Sequence, residues 1–267
     1  MGLDEDARSN GQKLRLSAFP RPHVRATEEA VGIVREPLRW PKIRGCFVVL
    51  FTARSGSTYL TRELEYAYDI GRMGETLNPA QVKNKPVAKI VATRKREWFG
   101  FKAGVQGVVA GELYGFFDAY LDKTVFLRLV RKDIVAQAIS LKKASQTGQW
   151  HAHNAPERAP EYDDAAIMKS IKKIVTGTEH LRLYAQLTGR PCRTVFYEDF
   201  AEGDFSSVLA ATDALGAPRR PPEADVEHRS VERMSDEINE AWRARFTEEM
   251  NMRTRDMIQR YLDALQG

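Results

Sequence analysis

Hydrophobic runs alternate with amphipathic stretches along most of this chain. Short apolar runs, rich in β-branched and aromatic residues, predict buried strands at 46–51, 99–105, 124–130 and 192–197. Apolar residues at helical spacing predict helices over 58–68, about 107–120, 133–147, 163–188, from Asp204 to about Gly216, and about 234–265. This alternation predicts an α/β fold with three layers, in which helices cover both faces of a mostly parallel sheet.

The first 44 residues lack this alternation. They carry many charges and little periodicity, and they contain Pro20, Pro22, Pro37 and Pro41. Segments of this composition pack loosely or stay partly disordered. We therefore expect a basic, proline-containing and loosely ordered arm over residues 1–44, followed by a single domain over residues 45–267.

Composition and charge narrow the class of protein. Hydrophobic residues make up 43% of the 267 positions, enough for a substantial core. The 41 basic and 36 acidic residues leave a formal net charge of +5. An excess this small favours an anionic ligand only where it is concentrated in a cleft.

The cysteines and the apolar runs bear on the cellular compartment. Cys46 and Cys192 both fall in predicted strands, so reduced thiols are a simpler interpretation than a disulfide framework. No apolar run approaches membrane-spanning length, and the first residues contain no apolar signal core. These features predict a cytoplasmic protein.

A loop of small residues follows the first predicted strand. It reads Arg54-Ser55-Gly56-Ser57-Thr58, and a strand, such a loop and a helix direct backbone N–H groups towards an anion. The loop lacks the lysine and the upstream glycine of a nucleoside triphosphatase, so a nucleotide-dependent kinase is a disfavoured alternative. Taken alone, the segment fits equally well a turn in which Ser57 caps the helix.

A second pair of anion-suited residues follows the third predicted strand. Arg131 stands at the carboxyl end of this strand, and Ser140 lies nine positions further along. Ligands bind beyond the carboxyl ends of parallel strands, so the two can hold a phosphate together. The alternative is that Arg131 pairs with Asp133 and Ser140 is an ordinary helix residue. Two such sites at neighbouring strand ends predict a ligand with two separated anionic groups.

Six motifs then follow one another in the order of a known family. They are FTARSGSTYLTRELE, GRMGE, FGFKAGV, LVRKDIVAQAISLKKASQTGQW, YDDAAI and VFYEDF. Over about residues 46–250 the chain resembles the bacterial carbohydrate sulfotransferases typified by trehalose sulfotransferase, including the lipopolysaccharide sulfotransferase-like proteins. The resemblance is most specific over residues 131–150.

The resemblance implies a P-loop-like sulfotransferase fold and a reaction. In that reaction a sulfuryl group moves from 3′-phosphoadenosine 5′-phosphosulfate (PAPS) to a hydroxyl of a carbohydrate or glycolipid, such as lipopolysaccharide. Adenosine 3′,5′-bisphosphate (PAP) is the product. By analogy with phosphoryl transfer, catalysis is mostly positioning and charge stabilisation. We expect no metal, because His151 and His153 are isolated from other ligand-type residues.

The resemblance also implies roles for individual residues. In the family, one loop holds the 5′-phosphosulfate, and it corresponds here to Arg54, Ser55, Gly56, Ser57 and Thr58. An arginine and a serine bind the 3′-phosphate in the family, and they correspond here to Arg131 and Ser140. Glu75 matches the general base, and Lys102 matches a lysine close to the site. The expected catalytic residues are therefore Glu75, Arg54 and Lys102.

The acceptor side departs from the family pattern. Glu75 is followed by Thr76-Leu77-Asn78-Pro79, and the lysine- and arginine-rich segment 80–98 matches nothing in the family. A basic nucleic-acid-binding module would explain the cluster from Lys83 to Arg96, but this cluster lacks interleaved aromatic residues. We expect no nucleic-acid partner. A glycolipid acceptor would favour peripheral contact with an anionic membrane, and the sequence is compatible with a homodimer.

Overall fold

The computed structural model describes residues 9–32, 39–93, 97–150, 155–221 and 237–266. In this part of the chain four parallel strands form one sheet in the order β2-β1-β3-β4. The strands are β1 (Gly45–Leu50), β2 (Trp98–Ala103), β3 (Thr124–Val130) and β4 (Cys192–Phe196). The apolar runs predicted each of them with bounds that differ by at most two residues.

Thirteen α-helices are described around this sheet. They are α1 (Asn10–Leu16), α2 (Arg21–Val31), α3 (Ser57–Ala67), α4 (Pro79–Val82), α5 (Val87–Thr93), α6 (Val105–Leu113), α7 (Phe116–Tyr120), α8 (Ile134–Thr147), α9 (Asp164–Thr188), α10 (Tyr197–Phe200), α11 (Ser206–Ala214), α12 (Glu237–Glu249) and α13 (Met252–Gln266). None of these helices has the length and hydropathy that a transmembrane segment needs.

Helices cover both faces of the sheet. All six residues of β1 are buried, and the five from Cys46 to Leu50 alternate between two apolar clusters. Cys46, Val48 and Leu50 belong to the cluster that contains residues of α6, α7 and α9. Phe47 and Val49 belong to the cluster that contains residues of α3 and α11. The predicted fold class, a three-layer α/β arrangement with a parallel sheet, is confirmed.

Two of the predicted helices are each divided in the structure. The stretch 107–120 forms α6 and α7, because Gly115 adopts a left-handed conformation with φ of 70° between them. The last predicted helix forms α12 and α13, and the Asn251 side chain accepts a hydrogen bond from the Thr254 N–H at 3.0 Å, which starts α13. Residues 234–236 of that prediction lie outside the described residues.

The described part of the N-terminal arm packs against the core. Leu16, Val24 and Val31 of α1 and α2 are buried in the same cluster as β1. The sequence analysis predicted no helix over residues 10–31, where the structure has α1 and α2. Pro20 and Pro22 misled it, because they stand at the start of α2, where proline is compatible with a helix. The division into an arm and a domain stays a prediction.

Candidate active site

The loop between β1 and α3 has an unusual backbone conformation. Arg54 has φ of 64° and Gly56 has φ of 87°, both in the left-handed region. A Cβ atom on Gly56 would lie 2.4 Å from Cδ2 of Tyr197, so the position requires glycine. Gly56 is also the N-cap of α3, which leaves Ser57 as the first helical residue instead of the cap. The N–H groups of the first turn of α3 therefore open onto the carboxyl edge of the sheet.

A buried glutamine from α8 supports this loop. The Gln137 Nε2 group donates hydrogen bonds to Oγ1 of Thr52 at 3.0 Å and to the carbonyl oxygen of Ala53 at 2.8 Å. Sequence analysis missed Gln137. The signal was a polar residue on the core-facing side of a predicted helix, between Ile134 and Leu141, where burial demands hydrogen-bond partners.

The first group of polar residues at this edge consists of Arg54, Arg131 and Ser140, which we call the arginine cluster. The Arg54 Nε atom donates a hydrogen bond to Oγ of Ser140 at 2.9 Å, and its Nη1 atom donates to the carbonyl oxygen of Trp150 at 2.8 Å. Nη1 of Arg131 lies 3.5 Å from the carbonyl oxygen of Arg54. Burial, followed by the charge of Arg131, lowers the pKa of Arg54. The proximity of these two guanidinium groups makes this cluster a candidate site for an anion.

Residues of the VFYEDF motif hold Arg131 in place. Its guanidinium lies over the ring of Tyr197, 4.7 Å from the ring centre. The carboxylate of Glu198 accepts hydrogen bonds from the backbone N–H groups of Lys132 and Asp133, both at 3.0 Å. Sequence analysis gave neither Tyr197 nor Glu198 a role. Only the pairing of Val130 with Phe196 between β3 and β4 brings them together.

The second group, which we call the lysine cluster, consists of Lys102, Ser57, Thr58 and Glu75. The Lys102 Nζ group donates hydrogen bonds to Oγ1 of Thr58 at 3.0 Å and to Oγ of Ser57 at 3.3 Å. It lies 3.9 Å from Oε1 of Glu75. Burial lowers the pKa of Lys102, and the charge of Glu75 opposes this effect. A cation is thus held directly beside the first turn of α3.

Glu75 is oriented by the residue that departs from the family pattern. The side-chain amide of Asn78 donates a hydrogen bond to Oε2 of Glu75 at 3.1 Å, and its Oδ1 atom accepts one from the N–H of Ala80. The Glu75 side chain is 40% exposed, whereas that of Lys102 is 10% exposed. Glu75 is therefore a carboxylate that is held on one side and open to solvent on the other.

Three buried polar atoms at this edge lack a hydrogen-bond partner among the described residues. Oγ of Ser55 and Nε of Arg131 can donate a hydrogen bond, whereas Oε1 of Gln137 can only accept one. Buried polar groups in proteins are nearly always paired, so a ligand with acceptor oxygens would satisfy the two donors. The residues present therefore fit an anionic nucleotide.

The predicted site residues all lie at or near this edge, but their pairing differs from the expectation. Ser140 contacts Arg54, which was expected to face the other end of the ligand. Among the described residues, the Asp133 carboxylate has partners other than Arg131, contrary to the alternative considered from the sequence. The Asp133 carboxylate accepts a hydrogen bond from the N–H of Ala136 at 2.9 Å and pairs with Arg243 at 2.8 Å.

The structure does not describe every residue that the sequence analysis discussed. His151, His153 and residues 94–96 of the basic cluster lie outside the described residues. Where the structure describes the chain, no group of three or more His, Cys, Asp or Glu side chains could hold a metal ion.

Comparisons with known proteins give one family and several distant structures. The family described as Stf0 sulphotransferase matches residues 109–249, just over half of the 267-residue chain. This range includes Arg131 and Ser140. No curated protein matches the sequence significantly.

Three solved structures illustrate the distant likenesses. A mouse sulfotransferase complexed with PAP is 14% identical, with 88% of this chain and 71% of that chain covered and a TM-score of 0.44. A sulfotransferase from Alicyclobacillus acidocaldarius is 14% identical, with 83% and 95% covered and a TM-score of 0.42. A retinol dehydratase in complex with androsterone and inactive cofactor PAP is 17% identical, with 92% and 79% covered and a TM-score of 0.40.

Proposed function

Since this chain belongs to the Stf0 sulphotransferase family, we propose that it transfers the sulfuryl group of PAPS to a hydroxyl of a carbohydrate or glycolipid and releases PAP. The observation that carries this proposal is the presence of two cationic clusters at one edge of the sheet. One is built around Arg54 and Arg131, and the other around Lys102. PAPS has anionic groups at two separate positions, so each cluster has a matching group.

The lysine cluster is suited to the reacting end of the donor. PAPS supplies there a sulfuryl group and a phosphate as leaving group. The backbone amides from Ser55 to Thr58 and the N-terminus of α3 would hold that end. Lys102 would stabilise negative charge on the leaving oxygen. Its hydrogen bonds to Ser57 and Thr58 position its Nζ group before the reaction, which avoids a reorganisation cost during transfer.

Glu75 is the proposed general base. Asn78 occupies its Oε2 atom, and the half-exposed carboxylate is open to an incoming acceptor. The acceptor hydroxyl would pass its proton to Glu75 as its oxygen attacks the sulfur atom.

The nature of the acceptor rests on the motif resemblance. A carbohydrate or glycolipid hydroxyl, including one on lipopolysaccharide, is the proposed target. Contact with an anionic membrane surface, a homodimer and a cytoplasmic location stay predictions. No observation in the structure favours the kinase or the nucleic-acid alternative.

Ligand-dependent stability tests the donor site without knowledge of the acceptor. We expect PAP to raise the unfolding temperature in a concentration-dependent way, and ATP with magnesium or duplex DNA to have little effect. Stabilisation by ATP with magnesium alone would argue for a kinase, and stabilisation by DNA alone for a nucleic-acid-binding module.

A transfer assay tests the acceptor. The purified protein is incubated with PAPS labelled in its sulfuryl group and with polysaccharide and lipid extracts. We expect label to appear in a carbohydrate-containing fraction. Mass spectrometry of the same fractions from cells with and without the gene should show a sulfate that depends on the gene. Transfer only to a non-carbohydrate acceptor would overturn this part of the proposal.

A further inference from the structure

The segment that carries Glu75 is bound to its surroundings on both sides of that residue. Before Glu75, the N–H of Lys102 in β2 donates a hydrogen bond to the carbonyl oxygen of Gly74 at 3.0 Å. After Glu75, the N–H of Asn78 donates to the carbonyl oxygen of Glu75 at 2.9 Å, which closes a four-residue turn. These bonds fix the backbone at position 75, but they leave the direction of the side chain open.

The side chain of Asn78 has two separate tasks. Its Oδ1 atom accepts a hydrogen bond from the N–H of Ala80 at 3.1 Å and so caps α4. Its Nδ2 group donates to Oε2 of Glu75 at 3.1 Å. Aspartate caps a helix about as well as asparagine does, but an ionised aspartate cannot donate a hydrogen bond. The contact with Glu75 therefore requires asparagine, whereas the cap does not.

A carboxylate on α3 holds the chain two residues before Glu75. Oε1 of Glu65 accepts a hydrogen bond from the N–H of Met73 at 2.6 Å, and Oε2 of Glu65 pairs with Nη1 of Arg62 at 2.9 Å. The Glu65 side chain is only 19% exposed. The same helix receives the hydrogen bonds of Lys102 in its first turn. One helix thus sets the position of the Glu75 segment relative to Lys102.

The charged groups around Glu75 come from β2 and α3. Lys102 lies 3.9 Å from Oε1 of Glu75, and Arg62 and Glu65 lie close enough to act on the pKa of Lys102 through their charges. A general base works only within hydrogen-bond distance of the proton that it removes. A misplacement of about 1 Å can lower a rate by about 100-fold, so residues that hold the base contribute to turnover.

We propose that Asn78 and Glu65 are positioning residues for Glu75. Asn78 orients the carboxylate from the turn that follows it, and Glu65 fixes the chain that precedes it. The inference rests on the proposed function and deepens it. Under this assignment position 78 requires a hydrogen-bond donor, and position 65 requires a hydrogen-bond acceptor.

Urea unfolding at several pH values tests the contact between positions 78 and 75 without an acceptor. Asn78→Asp keeps the cap of α4 but places a second carboxylate beside Glu75. Two ionised carboxylates repel each other in the folded protein, and protonation removes the repulsion and restores a donor. We therefore expect the urea midpoint of the variant to lie below that of the unchanged protein at pH 7. The difference should shrink as the pH falls to about 4.

Two further variants show whether Glu75 causes this loss. Adding Glu75→Gln to Asn78→Asp should abolish the loss at pH 7, because the amide at position 75 can then donate to the carboxylate at position 78. Asn251→Asp is the matched control, since Oδ1 of Asn251 caps α13 by accepting a hydrogen bond from the N–H of Thr254 at 3.0 Å. Its urea midpoint should change little at pH 7.

Turnover tests the positioning by Asn78. Initial rates are measured with labelled PAPS and the carbohydrate-containing extract as acceptor. Asn78→Asp should lower turnover at pH 7 by about 10-fold or more. The rise of turnover with pH should also move to higher pH, because one of two adjacent carboxylates keeps its proton longer. PAP affinity, measured by calorimetry, should stay unchanged, which shows that the variant is folded.

The positioning by Glu65 is tested with two variants in the same assay. Glu65→Met has a side chain of similar length without an acceptor for the N–H of Met73, so turnover should fall by about 10- to 100-fold. Glu65→Gln keeps an oxygen that accepts this hydrogen bond and should retain most of the turnover. Both variants lose the ion pair with Arg62, so the comparison isolates the hydrogen bond. PAP affinity should stay unchanged in both.

Three outcomes would overturn the inference. Equal urea midpoints of Asn78→Asp and the unchanged protein at pH 7 would show that position 78 does not contact Glu75. Unaltered turnover and pH dependence in Asn78→Asp would show that this contact does not orient the base. Equal turnover of Glu65→Met and Glu65→Gln would remove Glu65 from the positioning. Failure of the proposed function is distinguishable, because the unchanged protein would then transfer no label, while the urea midpoints would still report the contact.

Discussion

At the scale of single residues, Glu75 and Lys102 form the reacting end of the proposed site. Their charged atoms lie 3.9 Å apart, and each is held by a further residue: Asn78 for Glu75, and Thr58 for Lys102. Sequence analysis named Glu75 and Lys102 from the family resemblance alone. It could not name Asn78, because this residue stands where the sequence departs from the family pattern.

Replacing Glu75 with Gln tests the proposed base. The amide keeps the shape of the side chain but cannot accept the acceptor proton, so turnover should fall by about 100-fold or more. PAP affinity should stay unchanged. The rise of turnover with pH that a carboxylate base confers should also be lost, which initial rates at saturating acceptor will measure. Near-normal turnover would remove Glu75 from the mechanism and direct attention to His151, which lies outside the described residues.

Replacing Lys102 with Met should separate stability from activity. Burial lowers the pKa of Lys102 below its ordinary value of 10.5, so the folded state binds this proton less well than the unfolded state does. The unchanged protein should therefore lose stability as pH falls from about 10.5 towards the lowered pKa of Lys102. At neutral pH we expect the variant to be more stable in urea unfolding and slower in turnover by about 100-fold.

The pH dependence of the stability difference between the Lys102→Met variant and the unchanged protein tests whether the buried charge is its cause. The gain of the Lys102→Met variant should shrink as pH rises from the lowered pKa of Lys102 through 10.5, because lysine becomes neutral in both states only above that pH. A gain that is constant across this pH range would have another cause, such as better packing against Phe51, whose ring centre lies 5.2 Å from Nζ.

At the scale of elements, the unit formed by β1, the loop and α3 depends on Gly56. Gly56→Ala combines an unfavourable φ of 87° with a clash against Tyr197, which also contacts Arg131. We expect a loss of about 2–4 kcal/mol in unfolding free energy, from the strained backbone and the displaced ring. PAP binding should weaken strongly, because the loop and Arg131 both move.

Gly189 offers a matched control for this prediction. It has a φ of 63° at the end of α9, and a Cβ atom there would meet nothing within 4 Å. Gly189→Ala therefore carries the backbone penalty of about 1 kcal/mol without a clash, and PAP affinity should not change. Similar results for the two variants, measured by urea unfolding and by calorimetry, would show that Tyr197 does not restrict the loop.

At the scale of the whole molecule, a buried ion pair attaches the N-terminal helices to the core. Arg15 of α1 donates two hydrogen bonds to Glu112 of α6, at 2.7 and 2.8 Å, and the hydroxyl of Tyr184 donates to the same carboxylate at 2.6 Å. Glu112 is completely buried. Burial raises the pKa of this carboxyl group, and the contacts with Arg15 oppose the rise.

Arg15→Met tests this attachment. Removing one partner leaves the carboxylate of Glu112 buried without its cation, which should cost about 3–5 kcal/mol of unfolding free energy. Arg15→Met combined with Glu112→Gln should recover part of the loss, because no charge then remains buried. The exposed pair of Arg25 and Glu29 provides the control, and Arg25→Met should change stability by less than about 0.5 kcal/mol in the same urea titration. A small effect of Arg15→Met would show that α1 is not held through this pair.

The match to the Stf0 sulphotransferase family confirms the family that the six motifs indicated.

The strands were predictable for a local reason. A strand that is buried on both faces must be apolar at every position, as β1 is, and such a run is visible in the sequence without knowledge of its partners. The helices of the arm were missed because proline is common both in loops and at the start of a helix. The sequence alone did not show that Pro20 and Pro22 stand at the start of α2.

By itself the sequence determined the α/β core and the position of the candidate anion-binding residues after strands. Chain order alone places Ser57 beyond β1 and Arg131 beyond β3, and parallel strands share one carboxyl edge. Tertiary structure alone decided which side chains meet there. Ser140 contacts Arg54 across 86 positions of the chain, and Glu198 holds the turn at Lys132 across 66. Such contacts depend on how α8 and β4 pack against the first loop, and no local pattern of apolar and polar residues encodes that packing.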